Sequence, residues 1–306
     1  MTMHPTTPIR PLEEFDSNRI EVSFELFPAK TPGAGKTLEE TVRRLASLEP
    51  RFFSVTYGAG GSTQTETSST LDMIRNEVAV PAAGHLTCVG ASRADTAAMV
   101  ERYRSMGIKH IVALRGDPSG GLDNAYCPHP EGYANAAALV AGIRSLGDFE
   151  ISVAAYPEKH PESSSVEADL AMLGAKVENG ATRAITQFFF DNAAYYRYVD
   201  RVRARGIDVP IVPGIVPITN FERVCAFARK CGATIPRTLV DRFAGLEGDP
   251  ETMKLVAAAV AAEQVAALRD QGVRHFHFYT LNRADLAYAI CRLLGVGPKS
   301  VVRQAA

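Results

Sequence analysis

The chain has 306 residues, of which 46% are hydrophobic and 22% charged, an ordinary composition for a soluble globular protein. Its formal net charge of -1 offers no basic excess for nucleic acid, and no apolar run reaches the roughly 18 residues of a membrane span. Five cysteines lie scattered without a C-x-x-C pair, which argues against a disulfide framework or a zinc site and fits a reducing cytoplasm.

In chain order, residues 1–15 carry prolines and acids but no apolar h-region, so no signal peptide is expected. Residues 1–19 read as an N-terminal extension. From residue 20 onward, short apolar runs alternate with amphipathic helices. The strands fall at residues 20–27, 51–57, 82–88, 110–115, 151–156, 183–189, 210–216 and 275–280, each followed by a helix. Ile111-Val112-Ala113-Leu114 is continuously apolar, as expected of a parallel strand covered on both faces.

Thr37-x-x-Glu40 and Thr219-x-x-Glu222 read as capping boxes for the first and seventh helices. Val166, Leu170, Leu173 and Val177 form one apolar stripe. Residues 237–245 read as an additional short helix before the eighth strand, and Asp249-Pro250 opens a helix over residues 251–271, closed by Gly272. Eight regular units in this length predict a single-domain (β/α)8 TIM barrel over residues 20–306, with an open doubly wound sheet as the rival.

A barrel places its chemistry at the C-terminal ends of the strands, which here carry Glu25, Thr56, His85, Asp117, Tyr156, Gln187 and Tyr279. Glu25 sits between Phe24 and Leu26; it either turns outward by strand alternation or lies in an apolar wall, where desolvation favours the neutral carboxyl and suits a general acid. Asp117, in Arg115-Gly116-Asp117-Pro118, either starts a turn or stabilises a cationic intermediate. Arg283 follows the expected cap Asn282, where a cation opposes the helix dipole; it reaches solvent or meets an anion. Phe227 falls beside the expected core face of Phe221, Val224, Cys225 and Ala228, and either packs or stacks on a planar ligand.

His85 and His160 lack a His-Glu-x-x-His pairing and read as hydrogen-bonding groups, so no metal is expected. His275 and His277 alternate on the last strand, point the same way, and read as packing residues. Neither G-x-G-x-x-G nor a P-loop motif occurs.

Residues 22–28, 54–59, 84–88, 110–117, 152–158, 184–191 and 277–283 together, in order and at seven of the eight strands, resemble the methylenetetrahydrofolate reductase family in its bacterial catalytic form. The resemblance implies a barrel that binds FAD without a Rossmann motif. It also implies that NADH or NADPH reduces the flavin and leaves before the folate enters. The product would be 5-methyltetrahydrofolate, for one-carbon metabolism and methionine biosynthesis, made by a cytoplasmic dimer or tetramer.

Carried over by matching, Glu25 is the acid that protonates N10 of the substrate, and Asp117 is the carboxylate near the flavin and the iminium cation. Gln187, Phe227, Tyr279 and Arg283 would meet the substrate. Thr56, Tyr57, Ala59, His85, Arg115, Gly116, Tyr133, Ala134, Tyr156, His160, Asp169 and Lys176 would meet FAD, alongside Asp117. Met172 and Ala175 depart from polar or basic residues of some relatives, which bears on the adenine side. The loop over residues 118–132 is longer than in the shortest relatives, and the short C-terminus leaves no expected S-adenosylmethionine-binding regulatory domain. The rival functions are another barrel enzyme or a non-catalytic flavin or folate binder. An aldolase would need a Schiff-base lysine at a strand end, where none stands, and Glu25 with Asp117 argues against binding alone.

Overall fold

The protein was analysed as a computed structural model that describes residues 19–58, 63–118 and 124–298. Strand alternation divides each stave between two environments. In β1 (Glu21–Leu26), Val22, Phe24 and Leu26 join the large core beneath the surrounding helices, while Glu21, Ser23 and Glu25 fall on the opposite face. That opposite face is the barrel lumen, where Phe52, Ala83, Val112, Ile185 and Val212 from five staves form a second apolar cluster.

The remaining strands are β2 (Phe53–Val55), β3 (Ala82–Thr87), β4 (His110–Leu114), β5 (Glu150–Ala155), β6 (Arg183–Thr186), β7 (Ile211–Val212), β8 (Gly214–Ile215) and β9 (His275–Tyr279). All pairings are parallel, in the order β7-β6-β5-β4-β3-β2-β1-β9-β8. The stave expected at residues 210–216 is broken into β7 and β8 at Pro213, which has no N–H to continue the ladder. The break completes the ring. β7 pairs β6, β8 pairs β9, and the Pro213 carbonyl accepts a bond of 3.0 Å from the His277 amide.

Around the strands run α1 (Pro32–Ala46), α2 (Gln64–Glu77), α3 (Arg93–Ser105), α4 (Ala136–Leu146), α5 (Val166–Glu178), α6 (Asn192–Ala204), α7 (Phe221–Cys231), α8 (Arg237–Phe243), α9 (Pro250–Asp270) and α10 (Ala284–Leu293). The short α8 lies where the sequence places it, before the last strand. Both expected capping boxes are displaced. α1 starts earlier, at Pro32, with Thr31 as its cap, so Thr37 is an interior residue bonding back to the Gly33 carbonyl. α7 is capped by Asn220, whose Oδ1 accepts from the Arg223 amide, rather than by Thr219. A true capping box forms instead at Ser92 and Asp95 of α3. Among the described residues no helix is long and apolar enough to cross a membrane.

Candidate active site

The upper lumen opens into a cavity of about 1360 Å³ walled by strand-end residues and the loops after them. Of the residues singled out from sequence, Glu25, Thr56, Tyr57, His85, Arg115, Gly116, Asp117, Tyr156, His160, Asp169, Lys176, Gln187, Phe227, Tyr279 and Arg283 all reach its wall. Tyr133 and Ala134 do not; Asn135 and Ala136 form the wall there, and the Tyr133 hydroxyl packs against Gly142 of α4. Ala59 lies outside the described residues.

Glu25 is at the floor. Its carboxylate lies 3.5 Å from His85 Nε2 and 3.8 Å from His277 Nε2. Behind it, Ser23 Oγ hydrogen-bonds with His277 Nδ1 at 2.7 Å and with His275 Nε2 at 3.0 Å. The two β9 histidines therefore point into the lumen as a bonded chain beneath Glu25, and both rings also pack on Phe52, so they join packing to a polar role. The spacing of β9 fixes their common face, but only the β1–β9 register, with Ser23 opposite His277 and Glu25 opposite Tyr279, brings them to the acid.

The expected rise in the Glu25 pKa is also corrected. Burial does raise it, but the two histidines beside it, His277 and His85, outweigh that and hold the carboxyl below its ordinary value. Burial drives His85 down to about 4 against the opposing pull of Glu25. The Glu25 side chain keeps 17% exposure, directed to the cavity it lines. His85 Nε2 and Thr87 Oγ1, both on the wall and buried, have no hydrogen-bond partner among the described residues.

Tyr279 closes the floor from β9, donating its hydroxyl to the Thr186 carbonyl at 2.7 Å; burial pushes its pKa well up. Gln187 accepts at Oε1 from the Phe188 amide at 3.0 Å, which leaves its amide nitrogen without a hydrogen bond among the described residues. Asp117 is exposed on the wall just past β4. The turn that presents it needs Gly116: its φ is +86°, and a β-carbon there would fall 2.4 Å from a Val89 methyl.

One side of the cavity carries a tight polar group. Arg115 grips Glu162 with two bonds of 2.5 and 3.0 Å, and its guanidinium lies 4.5 Å from the centre of the Tyr126 ring. The His160 ring meets Tyr156 edge-on at 4.6 Å, and Ser163 Oγ donates to Asp169 at 3.0 Å. Lys176 is buried and donates to the Ala154 carbonyl at 2.8 Å; burial, opposed by Asp169, lowers its pKa to about 8.

The opposite rim is apolar. Phe227 is 51% exposed and stacks on Phe188 at 5.5 Å, so it is both a packing residue and an open aromatic face. Phe27 and Leu281 are also exposed and line the same cavity. Arg283 is itself the cap position of α10, without a side-chain capping bond. Asn282 is not the cap. It clamps the β1 loop, accepting from the Phe27 amide at 2.8 Å and donating to the Phe27 carbonyl at 2.9 Å.

Sequence reasoning missed Lys30, Thr87, Glu162, Ser163, Arg223 and Leu281, all on the wall. Leu281 and Asn282 take consecutive left-handed conformations, φ +51° and +57°. Asparagine tolerates that region and was open to notice; leucine is a costly occupant that nothing in the local pattern announces.

A family model described as methylenetetrahydrofolate reductase matches residues 11–295. The chain is 49% identical to 5,10-methylenetetrahydrofolate reductase of Pectobacterium carotovorum subsp. carotovorum over 282 residues, covering 92% of each chain. It is 47% identical to the enzyme of that name from Escherichia coli (strain K12) over 280 residues, again covering 92% of each. Among solved structures, a Clostridium thermocellum protein described as binding two copies of 5-methyl-5,6,7,8-tetrahydrofolic acid superposes with a TM-score of 0.64 over 90% of this chain and 94% of its own. At 13% identity that likeness is one of fold.

Proposed function

This chain belongs to the methylenetetrahydrofolate reductase family, and from that premise we propose that it reduces 5,10-methylenetetrahydrofolate to 5-methyltetrahydrofolate with electrons from NADH or NADPH carried by FAD. The coarser statement, an oxidoreductase of folate one-carbon metabolism, is what the family membership gives directly. The observation that carries the finer reading is a largely buried carboxyl, Glu25, opening on a large cavity beside polar atoms of His85 and Thr87 that have no hydrogen-bond partner among the described residues.

The cavity fits a flavin dinucleotide. Its volume of about 1360 Å³ exceeds the roughly 300–1,000 Å³ of ordinary small-ligand sites. Arg115 and Lys176 supply cationic donors for phosphate groups, and His85, Thr56, Tyr57, Gly116, Tyr156, His160 and Asp169 would complete the cradle. Ala59 belongs to this set by resemblance. When bound, FAD supplies the hydride relay between nicotinamide and folate.

Glu25 would deliver its proton to N10 of the folate, the C–N bond to the bridging methylene would break, and an iminium cation would form at N5. Asp117 would face that cation and offset its charge. A pterin seated over Glu25 would remove its remaining 17% of exposure, the change that strengthens the desolvation now outweighed by the histidines. Gln187 would bond the pterin through its unbonded amide nitrogen, with Tyr279 beside it, and Phe227 would stack on pterin or nicotinamide. Arg283 would meet the carboxylates of the folate tail. A single cavity for both substrates supports alternation, nicotinamide leaving before folate enters.

We further read residues 20–306 as one catalytic unit with residues 1–19 as an extension, working in the cytoplasm as a homo-oligomer without nucleic-acid partners. The test is to purify the chain, reconstitute it with FAD, and follow flavin reduction by NAD(P)H and reoxidation by methylenetetrahydrofolate separately in stopped flow. Both half-reactions are expected. Protein that takes up no flavin, or that is reduced but never reoxidised by the folate, overturns the reading.

A further inference from the structure

The tight polar side of the cavity hangs on a turn, residues 159–163, whose shape has an identifiable cause outside the cavity. Lys159 does not line the wall, yet its ammonium collects three carbonyls of the turn that does. Nζ donates to His160 O at 3.0 Å, Pro161 O at 3.4 Å and Ser163 O at 2.5 Å. Three carbonyl dipoles converging on one point repel each other, and a cation at that point reverses the sign of the interaction. The backbone of Lys159 is left-handed, φ +83°, a conformation that a lysine adopts only when its surroundings hold it there.

What the turn presents is the cofactor side of the cavity. His160 accepts at Nδ1 from the Glu162 amide at 3.1 Å and turns its ring onto Tyr156. Glu162 holds Arg115, and Ser163 holds Asp169. The turn is also docked from behind: both Glu158 carboxylate oxygens accept from the Thr234 amide at 3.1 Å, and the Lys159 carbonyl and Pro161 ring pack on Gly232 at the end of α7. α7 is the helix that carries Phe227. The groups around Lys159 therefore connect both walls of the site.

We propose that Lys159 is a positioning residue for cofactor binding: its ammonium fixes the 159–163 turn so that His160, Ser163 and the Arg115–Glu162 pair face the cavity in one arrangement. The inference rests on the flavin reading of the cavity. It extends that reading to a residue the resemblance did not single out, which acts through others rather than by contact.

The experiment compares FAD affinity of the reconstituted full chain, by flavin fluorescence titration, for wild type, Lys159→Met, Lys159→Gly and Lys159→Arg, together with thermal unfolding of each without flavin. Lys159→Met keeps the stem and removes the charge; it should weaken FAD binding by about tenfold, with little change in flavin-free melting. Lys159→Gly removes the backbone strain as well, and should lose affinity equally if the ammonium is the cause. Lys159→Arg, which can still donate to several carbonyls, should retain most of the affinity. Amide exchange of His160, Glu162 and Ser163 without flavin should quicken in the Met variant, a readout available even if that variant binds too weakly to titrate.

A Met variant with wild-type FAD affinity and wild-type exchange overturns the proposal and leaves the flavin reading intact. Full affinity in the Gly variant overturns it too, since strain alone would then explain the loss. Wild-type protein that binds no flavin overturns both.

Discussion

The lower and upper halves of the barrel lumen are built by the same alternation of strand residues, and both are polar, yet they end in opposite conditions. Below, the charged groups pair with one another, although Glu21 Oε1 and His110 Nδ1 have no hydrogen-bond partner among the described residues. Arg51 bridges Glu21 at 2.7 Å, Arg183 pairs with Glu150, and His110 bonds Ser152 at 2.8 Å, all around the ring of Phe52. That ring lies 4.5 Å from His110, 5.7 Å from His277 and 5.5 Å from the Arg183 guanidinium. Above, Glu25, Gln187 and Asp117 face a cavity, and His85 and Thr87 hold buried atoms against it that have no hydrogen-bond partner among the described residues. Charge in the lumen is therefore no marker of function. The marker is charge left for something other than the fold to meet.

The comparison can be broken from either end. Glu25→Gln carries the largest expected effect: folate-driven reoxidation should fall by about 10³-fold while flavin reduction by NAD(P)H survives, because only the former needs the proton. Stopped flow on the two half-reactions checks this, and equal loss in both would remove Glu25 from its role. The lower half should answer in stability instead. Arg183→Met leaves Glu150 without its partner in the barrel floor and should cost about 3 kcal/mol in urea unfolding. FAD affinity of the folded fraction should be unchanged.

His85 stands between the two halves, and its effect is set by pH. It titrates at about 4 in the folded chain against 6.5 for the ordinary imidazole. Between those values the unfolded chain holds a proton that the folded chain refuses, so stability rises with pH through that window and is lost on acidification. A shift of this size is worth about 3 kcal/mol at most, and His110 and His275, also lowered by burial, act in the same direction. Melting curves of wild type and His85→Gln from pH 7 to pH 4 should show the shallower fall in the variant. The smallest effect belongs to the rim: Phe227→Ala should change stability by less than about 0.5 kcal/mol, since the ring is half exposed, while raising the KM for NAD(P)H or folate by about tenfold.

Much of this was open to reading in the linear chain. Short apolar runs alternating with amphipathic helices placed the strands and their order, and the segment 237–245 announced α8, because local burial patterns are repeated over many residues. Strand ends gave most of the cavity wall, since a parallel barrel fixes which end of each strand is open. The caps were misplaced at Thr37, Thr219 and Asn282 because a short capping motif recurs by chance, and competing partners a few residues away decide which is used.

What the sequence by itself determined is the barrel, the order and ends of its strands, and the presence of an acid at Glu25, all consequences of local patterning and of one-dimensional order. What only the tertiary structure decided is the state of that acid. Its ordinary carboxyl character, raised by burial, is turned downward by imidazoles that arrive from β3 and from β9, the latter some 250 residues away along the chain. Lys159 belongs to the same class: its charge is plain in the sequence, and its meeting with three carbonyls depends on a fold that no local pattern encodes. Electrostatic effects follow distance in space, and distance in space is what folding alone supplies.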